Sequence, residues 1–136
     1  MTTTLVDSDV LLDVATEDPT WFQWSADALT AAANEGPLVI NAIVYAEVSI
    51  GFSTIEDLDD ALPPEVFARE PLPFEAGFLA GKAFLAYRRR GGARPVPLPD
   101  FYIGAHAAIN GHRVLTRDAH RYRSYFPTVQ VLSPAG

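Results

Sequence analysis

The sequence predicts an α/β fold, a three-layer α/β/α sandwich around a central, mainly parallel sheet of about four or five strands. Two observations predict it. Short apolar, β-prone runs alternate along the chain with longer helical stretches, the pattern produced when crossover helices join parallel strands. The 136-residue length fits one domain, residues 1–136, and no repeat, low-complexity tract or linker divides it.

Thr3-Thr4-Leu5-Val6 reads as a short buried strand ending at Asp7, with Ser8 as cap of a helix through Val10, Leu11 and Leu12. Asp18-Pro19 reads as a second helix start, with Asp as the cap and Pro in the first helical position. The helical stretch from Thr20 to Asn34 then stops at Gly36. Leu38-Val39-Ile40 is the second strand, closed by Asn41, and Ala42 to Phe52 is helical. A short acidic helix from Thr54 to Leu62 ends at Pro63-Pro64. Phe74 to Arg90 is the most regular helix, closed by Gly91-Gly92, and its Gly77 and Gly81 leave room for another backbone. Three prolines keep Ala93 to Pro99 irregular, and Asp100 to Asn110 is helical again up to Gly111. Arg113 to Thr116 is a strand, a short helix starts near Asp118, and Thr128 to Leu132 is the last strand.

In such a sheet the carboxyl ends of the strands share one edge, where ligands bind. Asp7 follows the first strand and Asp118 follows the strand ending at Thr116, so both belong to that edge.

Composition excludes several classes. There is no cysteine, hence no disulfide framework and no thiolate metal site. The start, MTTTLVDSDV, lacks the basic and apolar regions of a secretory signal. No apolar run reaches the roughly 18 residues of a membrane span, so a cytoplasmic protein is expected. The net charge of −7 hides a division. Residues 1–75 hold 15 of the 17 acids and only Arg69 as a base, for a net −14. Residues 76–136 hold nine of the ten bases with only Asp100 and Asp118, for a net +7. Asymmetry of this kind points to nucleic acid; two separately solvated faces are the plainer reading.

Four acids stand out. Glu47 is the only charge in the apolar stretch Ile43 to Ile50, and no Lys or Arg occurs between Met1 and Ala68 to pair with it. An unpaired carboxylate on a buried helix is costly, so Glu47 meets a cation, protonates, or lies on a wet stripe. Asp100 opens a helix with small residues at Gly104, Ala107, Ala108 and Gly111 along one stripe, which lets that helix lie tight on a neighbour. The helix dipole favours an anionic Asp100. Asp7, Asp100 and Asp118 each also suit plain helix caps. Gathered in one pocket, the four would raise one another's pKa values and oppose folding unless a cation neutralised them. All-oxygen donors select Mg²⁺ or Mn²⁺, which activates water and stabilises charge on a scissile phosphate.

The motifs LVDSDVLLD (5–13), VYAEVSIG (44–51), LPDFYIGAHA (98–107) and VLTRDAHRYRSYFP (114–127) resemble the PIN-domain family, and within it the VapC-like toxins of toxin–antitoxin pairs. The likeness spans nearly the whole chain with the motifs in family order. It implies a PIN-like sandwich and an Mg²⁺- or Mn²⁺-dependent endoribonuclease. It also implies a homodimer, inhibited by a cognate antitoxin within a larger toxin–antitoxin complex. Asp7 and Asp100 match the principal metal ligands, Glu47 the acid of the third helix and Asp118 the fourth acid. Thr116 matches a hydroxyl that orients the acids, and Ser8 the small hydroxyl position after the first Asp. Asp9 departs from the family, where Asn is frequent; the expectation is that it faces solvent with Asp13 at i+4.

RNA contact is expected from Arg88, Arg89, Arg90 and Arg94 before the Asp100 helix and from Arg117, Arg121 and Arg123 around Asp118. Tyr122 and Tyr125 offer rings for base stacking, against the plainer reading of core tyrosines. His106, His112 and His120 show no metal spacing and are assigned no chemistry. Two other readings remain. One is a PIN fold serving only as a binding module. The other takes Asp7-Ser8-Asp9 as the nucleophile motif of a haloacid-dehalogenase-type phosphatase, which needs a lysine and a later acidic pair. The only lysine is Lys82, and no acidic pair follows it.

Overall fold

The computed structural model describes residues 1–95 and 97–134; Val96 of the proline-rich segment lies outside them. The elements run β1 (Thr4–Val6), α1 (Ser8–Ala15), α2 (Phe22–Glu35), β2 (Leu38–Ile40), α3 (Ala42–Ser49), α4 (Ile55–Ala61), β3 (Phe67–Arg69), α5 (Phe74–Arg89), α6 (Pro99–Asn110), β4 (Arg113–Leu115), α7 (His120–Tyr125) and β5 (Val131–Leu132). The five strands form one sheet in the order β3-β2-β1-β4-β5, with every pairing parallel.

The strand order positions the site. From β1 the chain steps through β2 to β3 in one direction, then crosses back to β4 and β5 on the other side of β1. Right-handed crossovers therefore lay α1–α4 on one face and α5–α7 on the other. The direction reverses between β1 and β4, so a crevice opens outside their carboxyl ends. Asp7 and Thr116 stand at those two ends.

β1, β2 and β4 are buried along their whole length, as strands covered on both faces must be. Leu5, Val6, Ile40, Val114 and Leu115 form the sheet's share of the core, with Phe101 and Ile103 of α6 packed on them. Gly104 of the small-residue stripe touches Phe126 so closely that an added Cβ would collide with its ring. Gly77 and Gly81 behave differently: apart from their chain neighbours and the backbone of α5 itself, nothing among the described residues comes within 4 Å of where their Cβ atoms would be.

Several boundaries differ from expectation. Asp7 rather than Ser8 caps α1, its Oδ1 accepting from Ser8 N at 2.7 Å. Asp18 accepts from Thr20 N and Trp21 N at 2.9 Å and caps a turn, while α2 starts later, at Phe22. Leu98 takes the cap position of α6 and Pro99 its first turn, so Asp100 sits inside the helix. Strand β3 was not expected at all. Only Phe67 of its three residues is buried, the weak signature of an edge strand. Among the described residues no helix is long and apolar enough to cross a membrane.

Candidate functional site

Pairing between β1 and β4 continues one residue past the strands, through Asp7 N donating to Leu115 O at 2.9 Å. That bond fixes Asp7 at the crevice, where it is only 6% exposed. Its Oδ2 accepts from Thr116 Oγ1 at 2.9 Å and from Tyr122 OH at 2.8 Å. Burial pushes the Asp7 carboxyl above the usual carboxylate range, against the opposing pull of these donors. Thr116 and Tyr122 are both fully buried. Tyr122 is thus no stacking platform for a base; it is a buried hydroxyl clamp on Asp7, a role its sequence position did not disclose.

Glu47 reaches the same crevice from α3. Ser8 Oγ donates to its Oε1 at 3.0 Å, so Ser8 bridges Asp7 and Glu47 through backbone and side chain. Burial raises the Glu47 carboxyl, and the charges of Asp7 and Asp100 raise it further. Asp100 enters from the first turn of α6 and is pushed up to about 6, chiefly by burial and by Asp7, with Asp118 adding to the rise. Its nearest counter-charge is Arg121 Nη1 at 3.5 Å, partly exposed to water. Asp118 is exposed; its backbone N donates to Thr116 Oγ1 at 3.2 Å and its Oδ1 accepts from His120 N at 3.3 Å. Asp7, Glu47 and Asp100 therefore form one electrostatic group, and Asp118 acts on it from the rim.

Asp9 joins them rather than facing solvent. Its Oδ2 accepts from Thr116 Oγ1 at 3.2 Å and from Arg117 N at 3.1 Å. Its Oδ1 is buried with no partner among the described residues. Burial, with the charge of Asp7 second, pushes the group up to about 7. Asp13 is equally far from solvent. It is 3% exposed and holds Arg117 through Nε at 2.8 Å and Nη2 at 3.1 Å, with Ser25 Oγ donating at 2.8 Å. The α1 position i+4 from Asp9 is buried because α2 packs over it.

The arginines divide. Arg117, bound to Asp13 and lying 5.3 Å over the Trp21 ring, locks α1 to the loop after β4. Arg121 leans on Asp100. Arg88, Arg89, Arg90 and Arg94 are exposed around the end of α5. Arg88 Nη1 donates to Arg94 O at 2.7 Å, and Arg90 covers the Tyr125 ring at 4.7 Å. Tyr125 is half-buried, edge-on to Tyr87 and Phe101. Lys82, which an aspartyl-phosphate chemistry would need, lies along α5 over the Phe78 ring at 5.0 Å.

The donors at this edge are all carboxylate oxygens, the chemistry of a hard divalent cation. Two further facts fit such an ion: a buried Asp9 oxygen without a partner among the described residues, and desolvated acids whose carboxyls stay raised despite Arg121 beside Asp100 and Arg117 near Asp9. Repelling carboxylates shielded from water are stabilised by a cation between them.

A family model described as "PIN domain" matches residues 4–126. No curated protein sequence matches the chain. Solved structures do. VapBC2 of Rickettsia felis, bound to a DNA fragment from their promoter, is similar with a TM-score of 0.75 at 14% identity, over 97% of this chain and 98% of that one. VapBC-1 of nontypeable Haemophilus influenzae gives 0.73 at 16% identity, over 99% and 100%. A toxin–antitoxin complex from Klebsiella pneumoniae gives 0.71 at 20% identity, over 96% and 97%. At these identities the likeness is one of fold.

Proposed function

The chain belongs to the PIN-domain family, and from that premise we propose that it is the ribonuclease toxin of a toxin–antitoxin pair, cleaving RNA at the crevice between β1 and β4. The observation that carries the reading is the convergence of Asp7, Glu47 and Asp100 from three separate elements into one group of carboxyls raised by burial, with Asp7 raising the other two further. Desolvated carboxyls gathered in a crevice, raised by burial and by one another's charge, are the pattern of a functional site.

Asp7 and Asp100 are the proposed principal ligands of Mg²⁺ or Mn²⁺, with Glu47 and Asp118 completing the set. The chemistry such an ion supplies is activation of water and neutralisation of charge at the scissile phosphate. The protein's own groups do the rest. Thr116 and Tyr122 both donate to Asp7 Oδ2 and hold that carboxylate in one rotamer. Ser8 holds Glu47 toward Asp7. Arg121 and the exposed Arg88, Arg89, Arg90 and Arg94 attract the RNA backbone that the acids alone would repel. Arg117 supports this surface from beneath through Asp13. A homodimer, a cytoplasmic location and an antitoxin encoded beside the toxin follow from the same family likeness, and the toxin–antitoxin assemblies among the similar structures support the partner.

The test is cleavage of structured and unstructured RNA with Mg²⁺, with Mn²⁺ and with EDTA. Cleavage that needs the metal and disappears in folded Asp7→Asn and Asp100→Asn variants supports the assignment. Undiminished cleavage by those variants sinks it.

A further inference from the structure

The end of β3, the middle of α6 and the approach to β4 bring together three donor groups that the acidic crevice does not use. Glu70 Oε1 lies 2.7 Å from His106 Nε2 and 2.7 Å from His112 Nε2, and one ligand atom from each residue falls within 4.8 Å of the others. The His106 side chain is fully buried, whereas those of His112 and Glu70 are 11% and 30% exposed, so a small ion has a way in. We propose that Glu70, His106 and His112 form a second metal site, suited to a borderline ion of the Zn²⁺ class rather than to Mg²⁺. Two imidazoles and one carboxylate are a ligand set for such ions, and three protein ligands leave a fourth position open to water. Ligands about 2.0–2.1 Å from a tetrahedral ion stand roughly 3.3 Å apart, so the two Glu70–imidazole pairs need to open by only about half an ångström.

The ion has to displace hydrogen bonds, and they specify how. Asn41 caps α3 with its Oδ1, which accepts from Val44 N at 3.0 Å. Its Nδ2 therefore donates to His106 Nδ1 at 2.9 Å, and His106 carries its own proton on Nε2, donated to Glu70. Ligation moves that proton to Nδ1, and the proton that His112 Nε2 donates to the same Glu70 oxygen to Nδ1 of its own ring, with no net release. Asn41 must then turn its oxygen to the imidazole at the expense of the helix cap. A carboxylate at position 41 removes this conflict, because it accepts from Val44 N and from His106 Nδ1–H together. Carboxylates in that position orient metal-bound imidazoles and strengthen binding about 10–100-fold. The site would join β3, α6 and the approach to β4, and α6 is the helix that carries Asp100.

Zn²⁺ titration calorimetry and the visible absorption of added Co²⁺ test this on wild type, His112→Ala, Glu70→Gln, Asn41→Asp and the Asp7→Asn/Asp100→Asn double variant, each checked for folding by circular dichroism. The expected result is one tight Zn²⁺ per chain in wild type and in the double variant. Binding weakens at least about tenfold in His112→Ala and in Glu70→Gln, and tightens about tenfold or more in Asn41→Asp. Co²⁺ takes on the intense colour of low coordination only where Zn²⁺ binds. Absence of wild-type binding, undiminished binding in either folded ligand variant, loss in the double variant, or no tightening in Asn41→Asp overturns the proposal.

Discussion

Replacing Asp9 by Asn removes a charge that the fold resists, and the gain in stability has a defined pH dependence. In the folded chain Asp9 is held at about 7, against an ordinary value of 3.8. Its ionised form is therefore disfavoured by folding. The penalty is absent below about pH 4, grows between pH 4 and 7, and is fully present above. Three units correspond to about 4 kcal/mol as an upper bound, and the coupling to Asp7 and remaining contact with water reduce this to roughly 2 kcal/mol. Asn keeps an acceptor for Arg117 N and Thr116 Oγ1, and it places an amide where Oδ1 already lacks a partner. For a domain of this size the expected rise in Tm is about 6–8 °C at pH 8 in EDTA, and close to zero at pH 4. Millimolar Mg²⁺ narrows the difference, because a bound cation offsets the same repulsion. Thermal melts by circular dichroism across this pH range read it directly. A variant no more stable than wild type at pH 8, or equally stabilised at pH 4 and pH 8, refutes the reasoning.

Tyr122→Phe keeps the ring but removes a donor that lowers the Asp7 carboxyl, so the acid limb of the pH–rate profile moves to higher pH and stability drops by about 1–2 kcal/mol. An unmoved limb contradicts the clamp. Arg117→Ala strands the buried Asp13 carboxylate and costs about 3 kcal/mol in a urea melt, far more than a surface arginine would. Arg89→Ala leaves Tm unchanged but weakens single-stranded RNA binding and reduces the salt slope by about 0.7; a slope equal to wild type removes Arg89 from the RNA surface.

The central strands were legible because burial on both faces leaves an unbroken apolar run, as in Leu38-Val39-Ile40. β3 was not, since a three-residue edge strand with Ala68 and Arg69 exposed carries no such run. Glu47 was legible from its isolation among apolar neighbours without a base nearby, and its raised carboxyl follows from that isolation. Asp9 is not legible, because i+4 spacing with Asp13 suggests an outer face of α1, whereas the crevice and α2 enclose both residues. Charge counting cannot separate Arg117, tied to Asp13, from Arg89, free in solvent; only the partner 104 residues away does. The Glu70–His106–His112 cluster was missed for the same reason, its members being assembled over 36 and 42 residues by the return of α6 to the sheet.

The central claim, that the crevice acids bind a divalent ion, is tested most directly by measuring Mn²⁺ binding through its electron paramagnetic resonance signal, in wild type and in Asp100→Asn. The expected result is saturable binding by wild type and a loss of roughly tenfold or more in affinity when this one carboxylate is neutralised in a chain that still folds. Equal Mn²⁺ affinity in the two proteins, or none in wild type, would contradict it.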